Sequence, residues 1–445
     1  MTNRIAWILV LSLCYGAAPP ARASTLSDLF ALAQANDPVM AAARHKLGEE
    51  EERIPQAWAD LLPALDATAE GSKSLADYSF GSGPGPRKDH SGDWSVKLKQ
   101  PLFDWGSWQA LSVARAQTDA ARIDFAQARQ DLILRLAQAC FDLDLSRAGL
   151  AEIDAQMKAV AEQQLAAEQG FAHGAKPVTD ILEAKVRRGQ LRAERVTVLQ
   201  ELAKRQEGLR KILGDTAFTL PALDPAHLPE LSDSDPPERW IEAAQKSGLK
   251  VLSAGKAVEA AASAVEKADA GDWPRVGLNA SFGDSYQSSN SNSMFNSPTR
   301  ATNNREVGLS VTLPLYAGGG TLSRQREARE TQARLRAELD STRGDAAEEA
   351  AVALAALKEG KAAMEDMTEA VEAAEKSVAA NRAAALFGQK PSHEVFVALA
   401  QASQARKSRL GLYHLLLLNH LKLVASIGAL DEMVLARLDA QLELR

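Results

Sequence analysis

Two stretches place acidic residues just past helix breakers, at matching spacing. The first is G-A-K-P-V-T-D-I-L-E-A-K, from Gly174 to Lys185; the second is G-Q-K-P-S-H-E-V-F-V-A-L, from Gly388 to Leu399. A proline inside a helix costs about 3 kcal/mol, so Pro177 and Pro391 mark places where a helix stops and a new one starts. Asp180 and Glu394 then fall in the first turn of each new helix. Acids there stabilise the helix dipole, and Thr179 and Ser392 stand where N-terminal caps are found. No other group of residues has a spacing that suggests chemistry. There is no Ser-His-Asp set and no paired carboxylates. His414 and His420 are six apart, on different faces of a helix. Gly318-Gly319-Gly320 lacks the Lys-Ser/Thr of a phosphate loop and reads as a tight bend. The sequence therefore predicts no catalytic residue, no metal site and no cofactor.

The elements that hold these turns are long helices. Residues 107–170 contain no proline and are rich in Ala, Gln, Leu, Arg and Glu, all strong helix formers. Ile133, Leu136, Cys140, Leu143, Leu150, Ile153, Met157 and Val160 recur at three- and four-residue steps, a heptad-like seam. Residues 322–386 repeat this pattern with more alanine. About 65 residues at 1.5 Å each span roughly 100 Å, which suits a rod or a wall of packed helices. Return helices are expected over 178–213 and 392–427. Shorter ones, from Val39 to Leu62 and from Leu249 to Trp273, are expected to stack end to end on them.

The chain repeats itself. Ala33-Gln34 returns as Ala244-Gln245, Pro101-Leu102-Phe103 as Pro314-Leu315-Tyr316, Pro177 as Pro391, and Gly214 as Gly428. The ordered series at a nearly constant offset indicates duplication. The predicted division is a first repeat over 24–214, a linker over 215–237, a second repeat over 238–428 and a tail over 429–445. Each repeat has two strand candidates, at 65–80 and 94–103 and at 275–286 and 306–316. They alternate apolar and polar residues, and aromatic residues cluster in or beside them, Trp94, Phe103, Phe282 and Tyr286 among them. That is the signature of membrane barrel strands. The links at 81–90 and 288–304 are polar and read as exposed loops. Four strands cannot close a barrel, and open edges are forbidden in lipid, so several chains must share one barrel.

Residues 1–23 read as an export signal. Arg4 opens it, a short apolar run follows, and Ala21-Arg22-Ala23 is a cleavage site. A lipid anchor at Cys14 is disfavoured because Leu13 is not small. Cleavage would leave Cys140 alone, which excludes an intrachain disulfide. It would also take the net charge from −7 to −9, since Arg4 and Arg22 leave without an anion. That balance argues against nucleic acid as a partner.

The carrying motifs are Q-P-L-F-D-W-G before the first long helix and L-P-L-Y-A-G-G before the second. To these are added the two Gly-x-x-Pro breaks and the closing Leu-Gly and Ile-Gly-Ala-Leu. In this order, over about residues 25 to 430, the chain resembles the outer-membrane efflux protein family of TolC-like channels. The resemblance implies a mainly α fold with a β-barrel part. Three chains would form a 12-stranded barrel in the Gram-negative outer membrane, continued by a long periplasmic α-helical tunnel. It implies an exit duct, not an enzyme, serving drug efflux or type I secretion. The implied partners are a periplasmic adaptor, an inner-membrane transporter of RND or ABC type, and outer-membrane lipid. They would dock at the turns marked by Gly174, Pro177, Gly388 and Pro391. Asp180 and Glu394 match acidic positions of the family's aperture, and Lys390 matches a basic position that links neighbouring helices. Val397 departs from the pattern, where a second carboxylate is usual; Glu183 supplies one at the equivalent place of the first turn. Symmetry would then gather carboxylates that repel one another and attract cations. A periplasmic coiled-coil adaptor or structural rod is the alternative that the helices alone allow.

Overall fold

A computed structural model describes residues 25–76, 87–174, 176–215, 218, 220, 236–290, 300–387 and 389–443. The predicted signal segment and most of the predicted linker lie outside these residues.

Two helices dominate, α4 (Trp105–Ala172) and α8 (Gly320–Leu386). At 68 residues, α4 runs for roughly 100 Å. Asp104 starts it, its carboxylate accepting from the backbone N–H of Ser107 at 3.3 Å. The return helices are α5 (Val178–Leu213) and α9 (Ser392–Ser426). The remaining helices are α1 (Leu26–Asn36), α2 (Pro38–Glu51), α3 (Arg53–Ala59), α6 (Pro237–Ser247), α7 (Leu249–Asp269) and α10 (Glu432–Glu443).

Short helices stack on the return helices. Gly214 (φ 76°) ends α5 and Gly428 (φ 76°) follows α9, in the left-handed region that favours glycine. A Cβ on Gly214 would meet Asn36 at 3.2 Å, and one on Gly428 would meet the Ser247 carbonyl at 2.7 Å. The end of α5 thus abuts the α1–α2 junction, and the end of α9 abuts the α6–α7 junction. Arg406 of α9 binds Glu152 of α4 at 3.1 Å and Glu375 of α8 at 2.9 Å, tying both long helices to one return helix.

The main core lies at mid-height, where α1, α6 and α10 pack over the long helices. It joins Phe30, Leu136, Leu213, Leu357, Tyr413 and Leu421. Leu435 and Leu438 of α10 belong to it, so the tail read as 429–445 is partly a docked helix. Asp439, also on α10, accepts from the backbone N–H groups of Leu26 at 2.9 Å and Ser27 at 2.8 Å. Among the seam residues, Ile133, Leu136, Cys140, Leu143, Ile153 and Val160 are buried, and Leu150 and Met157 are half-buried. Burial pushes the Cys140 thiol, at mid-height, up to about 12. The thiolate is the reactive form, so native protein at pH 8 should leave Cys140 unmodified by iodoacetamide, and denaturant should expose it; mass spectrometry reads both states.

The four strands are β1 (Ala64–Ala76), β2 (Arg87–Phe103), β3 (Arg275–Asn290) and β4 (Arg300–Thr312), in one antiparallel sheet ordered β1-β2-β3-β4. Several predicted bounds change. The strand read as 94–103 starts at Arg87, and that read as 275–286 runs on to Asn290, because polar residues continue the ladder where apolar alternation has faded. The strand read as 306–316 is shifted: it starts at Arg300 and ends at Thr312, ahead of Pro314, which has no N–H to donate. The link read as 288–304 is shorter than read for the same reason, and the link read as 81–90 gives residues 87–90 to β2; the centres of both lie outside the described residues. The helix read from Val39 to Leu62 is two, broken at Glu52, with Pro55 in the first turn of α3.

The register sorts side chains by face. Leu65 opposes Leu98, Val96 opposes Phe282, Leu278 opposes Leu309, and Val276 opposes Val311. All lie on one face, where Leu65, Val307 and Leu309 are 69%, 77% and 65% exposed. The other face carries Asp66 against Lys97 and Ser281 against Glu306. Aromatics edge the apolar band. Trp105 stacks on Trp273 at 5.8 Å and Trp58 meets Trp108 at 6.0 Å beside the helices. Further along the strands Trp94 meets Phe282 at 5.4 Å. Among the described residues, no helix is long and apolar enough to cross a membrane.

Candidate functional site

The two turns lie at the end of the helices far from the sheet. Gly174 takes φ 69°, closing α4 before the chain reverses. Gly388, its predicted counterpart, lies outside the described residues. Pro177 and Pro391 occupy the N-cap positions of α5 and α9 with extended ψ of 155° and 153°, and neither helix has a side-chain cap. Thr179 and Ser392 are therefore not caps, contrary to the sequence reading, because each helix starts directly on its proline. Proline's fixed φ and missing N–H suit such a start.

Ser392 does something else. Its hydroxyl donates to Asp180 Oδ2 at 2.8 Å and lies 3.2 Å from Gln163 Nε2, which donates to it. Both Asp180 and Ser392 are buried. The first acidic residue is thus bound across the molecule to the start of the second return helix. A small apolar cluster of Val160, Ala184, Leu191 and Phe396 backs this contact. Beside it Arg187 donates to Gln156 Oε1 at 3.0 Å, joining α5 to α4.

The other predicted residues are placed differently. Lys390 Nζ donates to Asn381 Oδ1 at 2.8 Å and sits 3.9 Å from Glu394 Oε2. Within one chain it therefore ties its own turn together. Glu183 is exposed, one turn beyond Asp180, and Val397 is 38% exposed. The structure brings Lys390 and Glu394 together and couples Asp180 to Ser392; it leaves Glu183 apart. Ser392 as a partner, Gln163 and Asn381 were missed. The equal offset of Asp180 and Glu394 was the one signal that the two turns stand side by side. Among the described residues no cluster of His, Cys, Asp and Glu could hold a metal ion.

This chain belongs to the outer membrane efflux protein family, whose profile matches residues 29–215 and 240–429. Among its relatives, the outer membrane protein TolC of Vibrio cholerae serotype O1 is 26% identical over 306 residues, covering 69% of this chain and 68% of that protein. The proteases secretion protein PrtF of Dickeya chrysanthemi is 27% identical over 444 residues, covering 97% of this chain and 93% of its own. Two solved structures share the fold. CusC superposes with a TM-score of 0.74 at 19% identity, over 92% of this chain and 93% of its own. VceC of Vibrio cholerae does so with 0.73 at 20%, over 91% and 97%. The protein is an outer-membrane channel with a periplasmic part, an exit duct for efflux or type I secretion. The alternative of an adaptor or structural rod gives way to this match.

Proposed function

We propose that three copies share one twelve-stranded barrel, continued by a tunnel of twelve helical columns across the periplasm. Each chain would supply four columns: α4, α8, α5 stacked with α2 and α3, and α9 stacked with α7. The observation that carries this reading is the sheet. It has one exposed apolar face, one polar face and two unpaired edges, β1 and β4. Such edges need partners in lipid, and 13 to 17 residues per strand exceed the 9–11 needed to cross a bilayer. Outer-membrane lipid would cover the apolar face. The chain acts as a conduit and carries out no catalysis. An inner-membrane transporter and a periplasmic adaptor would dock at the tips around Gly174, Pro177, Gly388 and Pro391. Membrane extraction tests the assembly: the protein should need detergent, weigh three chains by light scattering and conduct in planar bilayers. A soluble monomer would sink it.

At the tips, Asp180 would hold the mouth shut through Ser392, while Glu183, Glu394 and Lys390 set its charge. Neutralising Asp180, Glu183 and Glu394 together should raise conductance severalfold and weaken cation preference. Ser392→Ala should raise conductance and keep that preference, because the carboxylates remain. If neither variant conducts more than the wild type, these residues do not gate.

A further inference from the structure

A cavity of about 690 Å³ opens at mid-height, in the gap between α4 and α8 where α7 meets the end of α9. That is the size range of small-molecule sites. Leu134 and Leu249 give it an apolar floor, and Val352 stands at its rim. Asp131, Asp345 and Glu348 stand exposed around it, against one cation, Lys422. Glu349 and Lys250, also at the rim, neutralise each other at 2.9 Å. Asn419, only 9% exposed, lines the cavity and offers it a side-chain amide. An amide both donates and accepts, so a ligand that supplied an N–H or a C=O would be held there.

We infer that this cavity binds amphiphilic organic cations. The apolar floor would take an aromatic or alkyl body, the excess carboxylates the positive charge, and Asn419 a polar group. The inference rests on the tunnel reading for the direction in which the cavity faces. On α4, Gln127 and Asp131 stand opposite Ile133, Leu136 and Cys140, which pack into the core beneath α1, α6 and α10, and Leu134 lies at the edge of that core. Those three helices must lie outside the tunnel, since inside they would fill it. The cavity then opens on the lumen, as a resting place for cationic cargo in the wall of the duct.

The test uses the full-length protein in lipid nanodiscs, with ethidium as the probe and empty nanodiscs as the blank. Wild type should bind ethidium saturably, and the anionic dye 8-anilinonaphthalene-1-sulfonate should not compete. Asp131→Asn with Glu348→Gln should weaken binding about tenfold, Val352→Trp should abolish it by covering the opening, and Lys422→Gln should tighten it. All these positions are exposed, so the core is untouched. Equal ethidium affinity in all variants, or competition by the anionic dye, would overturn the site. Wild-type conductance in planar bilayers is measured on the same preparation. A channel that conducts yet binds no ethidium removes the site and keeps the duct; a preparation that does not conduct removes the duct.

Discussion

Val307→Arg is expected to abolish the assembled channel. Val307 lies mid-band on the apolar face of β4, 77% exposed and opposite Ala280. An arginine near the bilayer midplane costs about 2–4 kcal/mol, a factor of roughly 30 to 1,000 in the folded population of each chain. Three copies in one barrel would each carry that cost. Asn304→Arg is the control. It lies on the same strand at the opposite parity, so it faces the polar side of the sheet, which the proposed barrel would turn to its lumen. Arg305 shares the face of Val307, but its guanidinium lies 5.2 Å from the centre of the Phe282 ring, near the Trp94 edge of the band. A new arginine at 307 would have no such partner. Outer-membrane yield and the trimer mass should collapse for V307R and persist for N304R. Equal yields would mean that the face of Val307 does not meet lipid.

The second large effect is expected at Asp37. This residue is 3% exposed and caps α2, its Oδ2 accepting from the Met40 N–H at 3.0 Å and from Arg135 at 2.7 Å. Asp37→Ala removes both bonds and leaves a buried N–H unpaired, a loss of about 2–3 kcal/mol. Arg135 is 39% exposed, so water takes up part of its charge. Asp37→Asn keeps an acceptor for the cap and gives up only the ionic part, so it should cost about half as much. Thermal unfolding of the three proteins in one detergent would show this order. If alanine and asparagine cost the same, the cap contributes nothing and the ion pair accounts for the whole loss.

The long-range plan of the chain was legible because it rests on local signals. The α5 span follows from Pro177 and Gly214, and α4 from a run without breakers, so both emerge within a few residues of their predicted ends. Strand ends were legible only where alternation or proline speaks. At Arg87–Asp93 both faces turn polar, and the strand is held by ladder bonds that leave no mark on residue type. At the tips, the acids could be found by matching the two turns. What Asp180 touches could not, because Ser392 is 212 positions away and burial decides whether a carboxylate lines an opening or is bound within the wall. The ion pair between Lys390 and Glu394 is local, at i and i+4, and is readable as such.

The contact between α1 and α10 bears on how the protein is made. Leu26, Leu29 and Phe30 lie in the same core as Leu435 and Leu438, and Asp439 satisfies the first amides of α1. The earliest helix described is therefore incomplete until the last one arrives. A chain released early would present greasy residues and bare amides at its beginning, however well its middle had folded. The order of α1 is thus set by residues up to 413 positions away, and a chain cut before α10 should loosen at both places at once.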